Sequence, residues 1–272
     1  MDFLRAVLAN WEISLLWMAG FLVAFSLLAK LMPCNPAQPI IRPGMLTDVL
    51  YGLIVPVFSR YVEIFFLGAG VAVFFYDVPK DQIGQYFENG HGPLASIPLW
   101  LQAAIVFIVS DIILYWTHRL FHRPKMWKWH AIHHSSKHVD WLSTNRFHPV
   151  NVWLSFTLVD ACMLLAGFSP DSLGIMAVFN LLYSAMVHAN LNWTFGPLRH
   201  AFASPVFHRW HHTYPNEGGM KNFAPTFPFL DVMFGTFYMP EGKLPQVYGV
   251  TQTDFPVGFW EQMAHPFRKR KK

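Results

Sequence analysis

The chain has 272 residues, of which 53% are hydrophobic, 17% aromatic and only 13% charged, far from a soluble average and characteristic of an integral membrane protein. Its formal charge of +4 comes with a basic run at 268–272, which suits an acidic lipid surface or a solvated terminus and falls short of a nucleic-acid-binding surface. Two cysteines, Cys34 and Cys162, neither in a CxxC pair, supply neither a disulfide framework nor a thiolate metal site.

A bilayer core is crossed by about 20 apolar helical residues, and such stretches lie near 11–32, 46–76, 97–117, 151–168 and 172–190. The expected fold is all-α: a membrane bundle of four to five segments under a cytosolic helical cap that carries the histidines. The first stretch is preceded by Asp2, contains Glu12 and shows no small-residue cleavage site, so it reads as an anchor rather than a signal peptide. Pro56, Arg60 and Glu63 interrupt the second, which fits either one long kinked helix or a span with an interfacial piece. The last two are joined by Gly167-Phe-Ser-Pro-Asp171, a helical hairpin with Ser169 or Asp171 available to cap the second helix. There is no internal repeat. The chain divides into N-terminal membrane segments and a connecting loop (1–96), a catalytic domain (97–240) and a basic tail (241–272).

If the segments alternate, one side receives Lys30, Arg42, six Lys/Arg between 118 and 150 and nine between 191 and 272, which is 17 of the 20. By the positive-inside rule that side is cytoplasmic, and the histidine clusters and the C-terminus lie on it.

Nine of the 14 histidines are clustered: His118 and His122; His130, His133 and His134; His188; His208, His211 and His212. His118 and His122 are spaced i, i+4 at the end of an apolar helix and share a face with Asp111 and Tyr115. A carboxylate there is placed to accept a ring N–H and fix a tautomer. The two HxxHH triplets each converge on one side of a helix, delivering two or three nitrogens apiece. His188 ends the hairpin's second helix on the same side and makes the ninth ligand. Around them, His138, i+4 from His134, His148, in Arg146-Phe-His-Pro149, and His200 are candidates to support the ligands. Asn192 could bond a metal-bound water, although a helix-capping role is simpler.

Nine nitrogens exceed one tetrahedral zinc or one facial-triad iron and furnish four or five ligands for each of two ions. Hydrolytic HExxH sites place a glutamate beside the ligand histidines, and no His-Glu dipeptide occurs here. The ExxH motif of carboxylate di-iron bundles appears only as Glu88-Asn-Gly-His91, where Gly90, Gly92 and Pro93 oppose a helix. What remains is a histidine-rich di-iron centre beside a membrane, suited to attack on lipid C–H bonds.

The HxxxH, HxxHH and HxxHH boxes, the Asp111…Tyr115-Trp-Thr-His118-Arg segment, Arg146-Phe-His-Pro149 and the stretch from Phe223 to Tyr238 ending in Leu230-Asp-Val-Met-Phe-Gly-Thr-Phe together resemble the fatty acid hydroxylase superfamily, in particular its sterol desaturase branch, over about 97–240. The resemblance implies an integral-membrane oxidoreductase with two iron ions that uses O2 to hydroxylate or desaturate a lipid such as a fatty acyl chain or sterol. It assigns metal binding and catalysis to His118, His122, His130, His133, His134, His208, His211 and His212, with His188 as a further ligand. No cytochrome b5-like domain is fused to the chain, so electrons are expected from a separate ferredoxin, cytochrome or reductase. The segment from Tyr214 through Pro240 is expected to cap the metals. Two other classes remain as alternatives, a zinc-dependent membrane hydrolase and a non-catalytic metal-binding membrane protein. Neither the lipid nor the oligomeric state is readable from the sequence.

Overall fold

A computed structural model describes residues 2–268, and among these the chain is all-helical, with one isolated antiparallel bridge between Thr213 and Tyr248. In order the helices are α1 (Asp2–Leu31), α2 (Met45–Phe74), α3 (Lys80–Asn89), α4 (Gly92–Ala95), α5 (Leu99–Phe121), α6 (Pro124–His134), α7 (Pro149–Val152), α8 (Leu158–Ala166), α9 (Pro170–His188), α10 (Pro205–His211), α11 (Phe229–Met233) and α12 (Phe259–Ala264). A π-helical turn, Trp153–Thr157, joins α7 to α8.

Five helical stretches are long and apolar enough to cross a membrane: Val7–Leu31, Met45–Phe74, Leu99–Phe121, Pro149–Ala166 and Pro170–His188. The second is one continuous helix through Pro56, which decides between the two readings of that stretch. The third continues beyond the expected end at 117, because nothing interrupts it before Pro124, whose ring disfavours helix in the residue ahead of it. His118 therefore lies inside the helix and His122 caps it. Proline at the first turn starts α6, α7, α9 and α10, where its missing N–H costs no helical hydrogen bond. Ser169, not Asp171, caps α9, accepting from Ser172 N.

The spans pack α5 on α9, α2 on α8 and α1 on α2. Their core is built from Val106, Leu114, Val159, Met163, Phe168 and Met176, while Leu16, Val23, Leu27, Phe65 and Val73 stay exposed on the outer faces, as lipid-facing side chains do. A Cβ at Gly70 would sit 2.6 Å from Leu165 Cδ1, so the missing side chain lets α2 and α8 approach closely. Gly167 ends α8 at φ 111°, a left-handed conformation that only glycine adopts cheaply.

All nine clustered histidines collect at one end of this bundle. That end holds the C-termini of α5 and α9, and the chain reaches it again at the start of α2 and of α7. There a buried network ties the loops: Arg42 bonds Asp140 at 2.5 Å and Asp48 at 2.8 Å, and Arg146 bonds Asp48 at 2.6 Å. Two cations and two anions cancel inside the protein, each with hydrogen-bond partners.

The expected tail at 241–272 is in large part a packed strap. Tyr248 and Phe259 are buried, Phe259 packs edge-on to Tyr51 with ring centroids 4.7 Å apart, and Gln262 donates to Pro256 O and Ser135 Oγ. Of the basic run, 269–272 lies outside the described residues.

Candidate metal centre

The structure sorts the nine histidines into two adjoining groups, His118, His122, His130, His134 and His211 in one and His133, His188, His208 and His212 in the other, with the ligand atoms of each group within 4.8 Å of one another. Both HxxHH triplets are split between the groups: α6 gives His130 and His134 to the first and His133 to the second, and α10 gives His211 to the first and His208 to the second. The i, i+3, i+4 spacing that aligns residues on one helix face thus serves two adjacent sites, because the helix faces their boundary.

The Nε2 atoms face inward at close range. His118 and His130 are 3.1 Å apart, His133 and His188 3.2 Å, His188 and His208 2.9 Å, and His208 and His212 3.1 Å. Two nitrogens bound to one ion at about 2.0–2.1 Å, at angles between octahedral and tetrahedral, lie roughly 2.9–3.4 Å apart.

Hydrogen bonds on the outer nitrogens fix the tautomers. A carbonyl only accepts, so Nδ1 of His118, His188 and His211 must carry the proton it gives to Phe223 O, Ser184 O and Lys221 O, each at 2.7 Å. His130 Nδ1 likewise donates to Asn151 Oδ1 at 2.6 Å, while the Asn151 amide donates to Ser155 Oγ. In a neutral ring this leaves Nε2 a bare lone pair. Two such lone pairs pointed at each other across 3.1 Å repel unless a cation lies between them.

Further buried nitrogens have no partner in the protein: His122 Nδ1 and Nε2, His134 Nε2 and His211 Nε2 in the first group, with Nδ1 of His133, His208 and His212 in the second. Orphaned buried polar atoms are rare and costly. Burial, aided by the neighbouring imidazoles, holds His122, His130, His133, His134, His208, His211 and His212 well below the ordinary histidine range, so each is neutral at neutral pH and free to ligate. The donor set fits two closely spaced ions that accept imidazole.

The remaining sequence candidates take other roles. Asp111 and Tyr115 do not bond a ligand ring: Asp111 accepts from Phe227 N and Tyr115 pairs with Thr236 Oγ1 at 2.9 Å. A helix side chain leans toward the N-terminal turn, which aims both at the 223–236 segment. That segment in turn presents Phe223 O to His118, held by Asp231, which accepts from Phe223 N and Ala224 N at 2.8 Å each. His138 is partly exposed and makes no ring contact with the cluster. His148 caps α7 through Val150 N and packs on Trp129. Asn192 is exposed, and its backbone N–H donates to Met32 O.

Three residues near the centre went unnoticed in the sequence. Asn151 orients His130. Phe147 stacks on His133 at 4.0 Å and 12°. Arg209, wholly buried and set between His208 and His211 in sequence, donates to Val139 O, His188 O and Tyr248 OH, a cation set at the C-terminus of α9. An asparagine opening an apolar span and an arginine inside a histidine box are the signals by which two of them could be found; Phe147 has none in so aromatic a chain.

Two openings reach the centre. A cavity of about 100 Å³ runs between α5, the π turn and α9, touching His118, His130, His133, His188 and His208, with Leu114, Phe156 and Val187 among its apolar walls. A separate pocket of about 270 Å³ reaches His122 beside Trp127, Thr213, Met220 and Val250.

The sequence model described as fatty acid hydroxylase matches residues 103–236. The chain is 30% identical over 175 residues to an ornithine lipid hydroxylase of Rhizobium tropici, covering 64% of this chain and 52% of the relative. It is 30% identical over 227 residues to the alkylglycerol monooxygenase of Homo sapiens, covering 83% and 47%. A very-long-chain aldehyde decarbonylase of Oryza sativa subsp. indica is 29% identical over 158 residues, covering 53% and 58%. The chain spans about half the length of the curated relatives it matches. No solved structure matches.

Proposed function

We propose, for a chain that belongs to the fatty acid hydroxylase family through residues 103–236, that it is a multi-pass membrane oxidoreductase which uses O2 and external electrons to hydroxylate, or desaturate, a lipid at a di-iron centre. The observation that carries this reading is the pair His118 and His130: two inward lone pairs 3.1 Å apart, each fixed by an acceptor on the outer nitrogen, at the head of an apolar cavity between membrane helices. Two irons bound there would supply the oxidising power to break an unactivated C–H bond.

The protein's own part is holding, orienting and drying. His118, His122, His130, His134 and His211 would hold one ion, and His133, His188, His208 and His212 the other. Phe223 O, Lys221 O, Ser184 O and Asn151 keep four of these rings in the ligating tautomer. Leu114, Phe156 and Val187 exclude water from the path by which a hydrocarbon reaches the centre. Both groups consist of histidine alone, so the zinc-hydrolase alternative lacks a carboxylate general base beside the ligands. The excess of Lys and Arg supports a cytoplasmic histidine end, where a separate electron donor would reach it.

The test is metal content of detergent-purified protein from iron-replete cells, followed by lipidomics under ¹⁸O2. Two irons per chain and ¹⁸O in a lipid, or an O2-dependent double bond, bear the proposal out. Zinc that persists after iron reconstitution, with anaerobic turnover, would replace it with the hydrolase.

A further inference from the structure

Apart from the histidines, most polar groups lining the apolar cavity are committed within the protein. Asn151 bonds His130 and Ser155, Tyr183 OH donates to Ala203 O, and Ser184 pairs with Thr144. Asn180 is different. It lines the same cavity, and among the described residues its amide makes no hydrogen bond.

Asn180, Ser184 and His188 lie at i, i+4 and i+8 of α9, on one face. Eight residues at a rise of 1.5 Å separate Asn180 from His188 by about 12 Å along the axis, which puts Asn180 deep in the span. An amide there has no water to turn to, and leaving both its donor and acceptor idle is costly. The cavity follows this face of α9 from His188 past Ser184 to Asn180, between the apolar walls of Leu114, Phe156 and Val187, so it takes an occupant extended along the helix, as a linear chain is.

We infer that Asn180 is a specificity-determining residue that hydrogen-bonds a polar group of a linear-chain lipid, a hydroxyl, ester or amide, about 12 Å from the carbon presented to the histidine cluster. At about 1.2 Å per bond of extended chain this is roughly ten bonds. The inference rests on the lipid-oxygenase reading for calling that ligand the substrate. It excludes a plain alkane as the preferred occupant.

The test uses the full chain in detergent with tritiated decan-1-ol and n-decane as probes, bound to immobilised protein in identical micelles. Wild type is expected to prefer the alcohol about fivefold beyond its micellar partition, the worth of one net hydrogen bond. Asn180→Leu, and independently Asn180→Ala, should abolish that preference while n-decane still binds. Val187→Trp, which fills the cavity, should remove both probes and so locate them. An alcohol preference that survives in both Asn180 variants overturns the inference, as does a wild type without one. Because binding is read without turnover, absence of any ¹⁸O-labelled product alongside an Asn180-dependent preference would count against the oxygenase alone. In active, iron-loaded protein, oxygen should enter decan-1-ol at the end remote from its hydroxyl, and Asn180→Leu should scatter that position.

Discussion

His118 and His130 meet through their Nε2 atoms at 3.1 Å while their outer nitrogens are tied to Phe223 O and Asn151 Oδ1. The first of these acceptors is backbone and cannot be removed by substitution, but the second is a side chain. Asn151→Leu should release the His130 ring and weaken metal binding by about 10- to 100-fold with the helices intact. Asn151→Asp keeps an acceptor and should retain binding. Metal titration with circular dichroism separates these outcomes, and equal affinity in all three proteins would show that Asn151 does not orient the ligand.

The split of each HxxHH triplet across two groups leads to a stoichiometric expectation. His211→Ala removes an imidazole from the first group and His133→Ala one from the second, so if each group holds one ion as proposed, each variant should lose about one of two ions and all activity. Elemental analysis of both variants checks this. Full occupancy with wild-type turnover in either would remove that residue from the ligand set.

Arg42, Asp140, Asp48 and Arg146 form a buried alternation of charge. Removing one member strands its partner, so Asp140→Asn or Arg42→Met should cost about 3–5 kcal/mol. Thermal unfolding in detergent reads the loss. The double variant Arg42→Met/Asp140→Leu should recover part of it, since no unpaired charge remains between the two.

His148, outside the spans and away from the ligands, is pushed down to about 4 by burial. The unfolded chain binds the proton near 6.5 and the folded protein only near 4, so U carries more protons between those values. Stability from this group is therefore complete above about pH 6.5 and is lost as pH falls toward 4. His148→Asn keeps an N-cap for α7 and should flatten the decline in melting temperature between pH 6.5 and 5. An unchanged slope would assign the acid sensitivity to other groups.

Much of the fold was legible because its signals are local. Five apolar stretches of spanning length became five helices, and of the two caps that the linker offers, Ser169 and Asp171, the structure uses Ser169. The convergence of nine histidines at one end followed from alternation of the spans. What the sequence hid depends on contacts far along the chain. Asp111 and Tyr115 share a face with His118, yet periodicity gives the face and not the partner, and their partners are Phe227 and Thr236, more than 110 residues away. Asn192 looked close to His188 in sequence, but α9 ends at His188 and the chain turns away, leaving it exposed. The strap at 245–267 looks like a tail in the sequence because its short helix and turns carry no periodic pattern long enough to register.

The cavity that ends at His118 and His188 and the pocket that ends at His122 share no lining residue. For an oxygenase of the kind proposed, a greasy chain can fill the first while O2 and other small molecules come and go by the second, so neither has to queue behind the other. Initial velocities measured against lipid at several fixed oxygen concentrations would then give intersecting rather than parallel lines, the kinetic mark of a centre that receives both before releasing either.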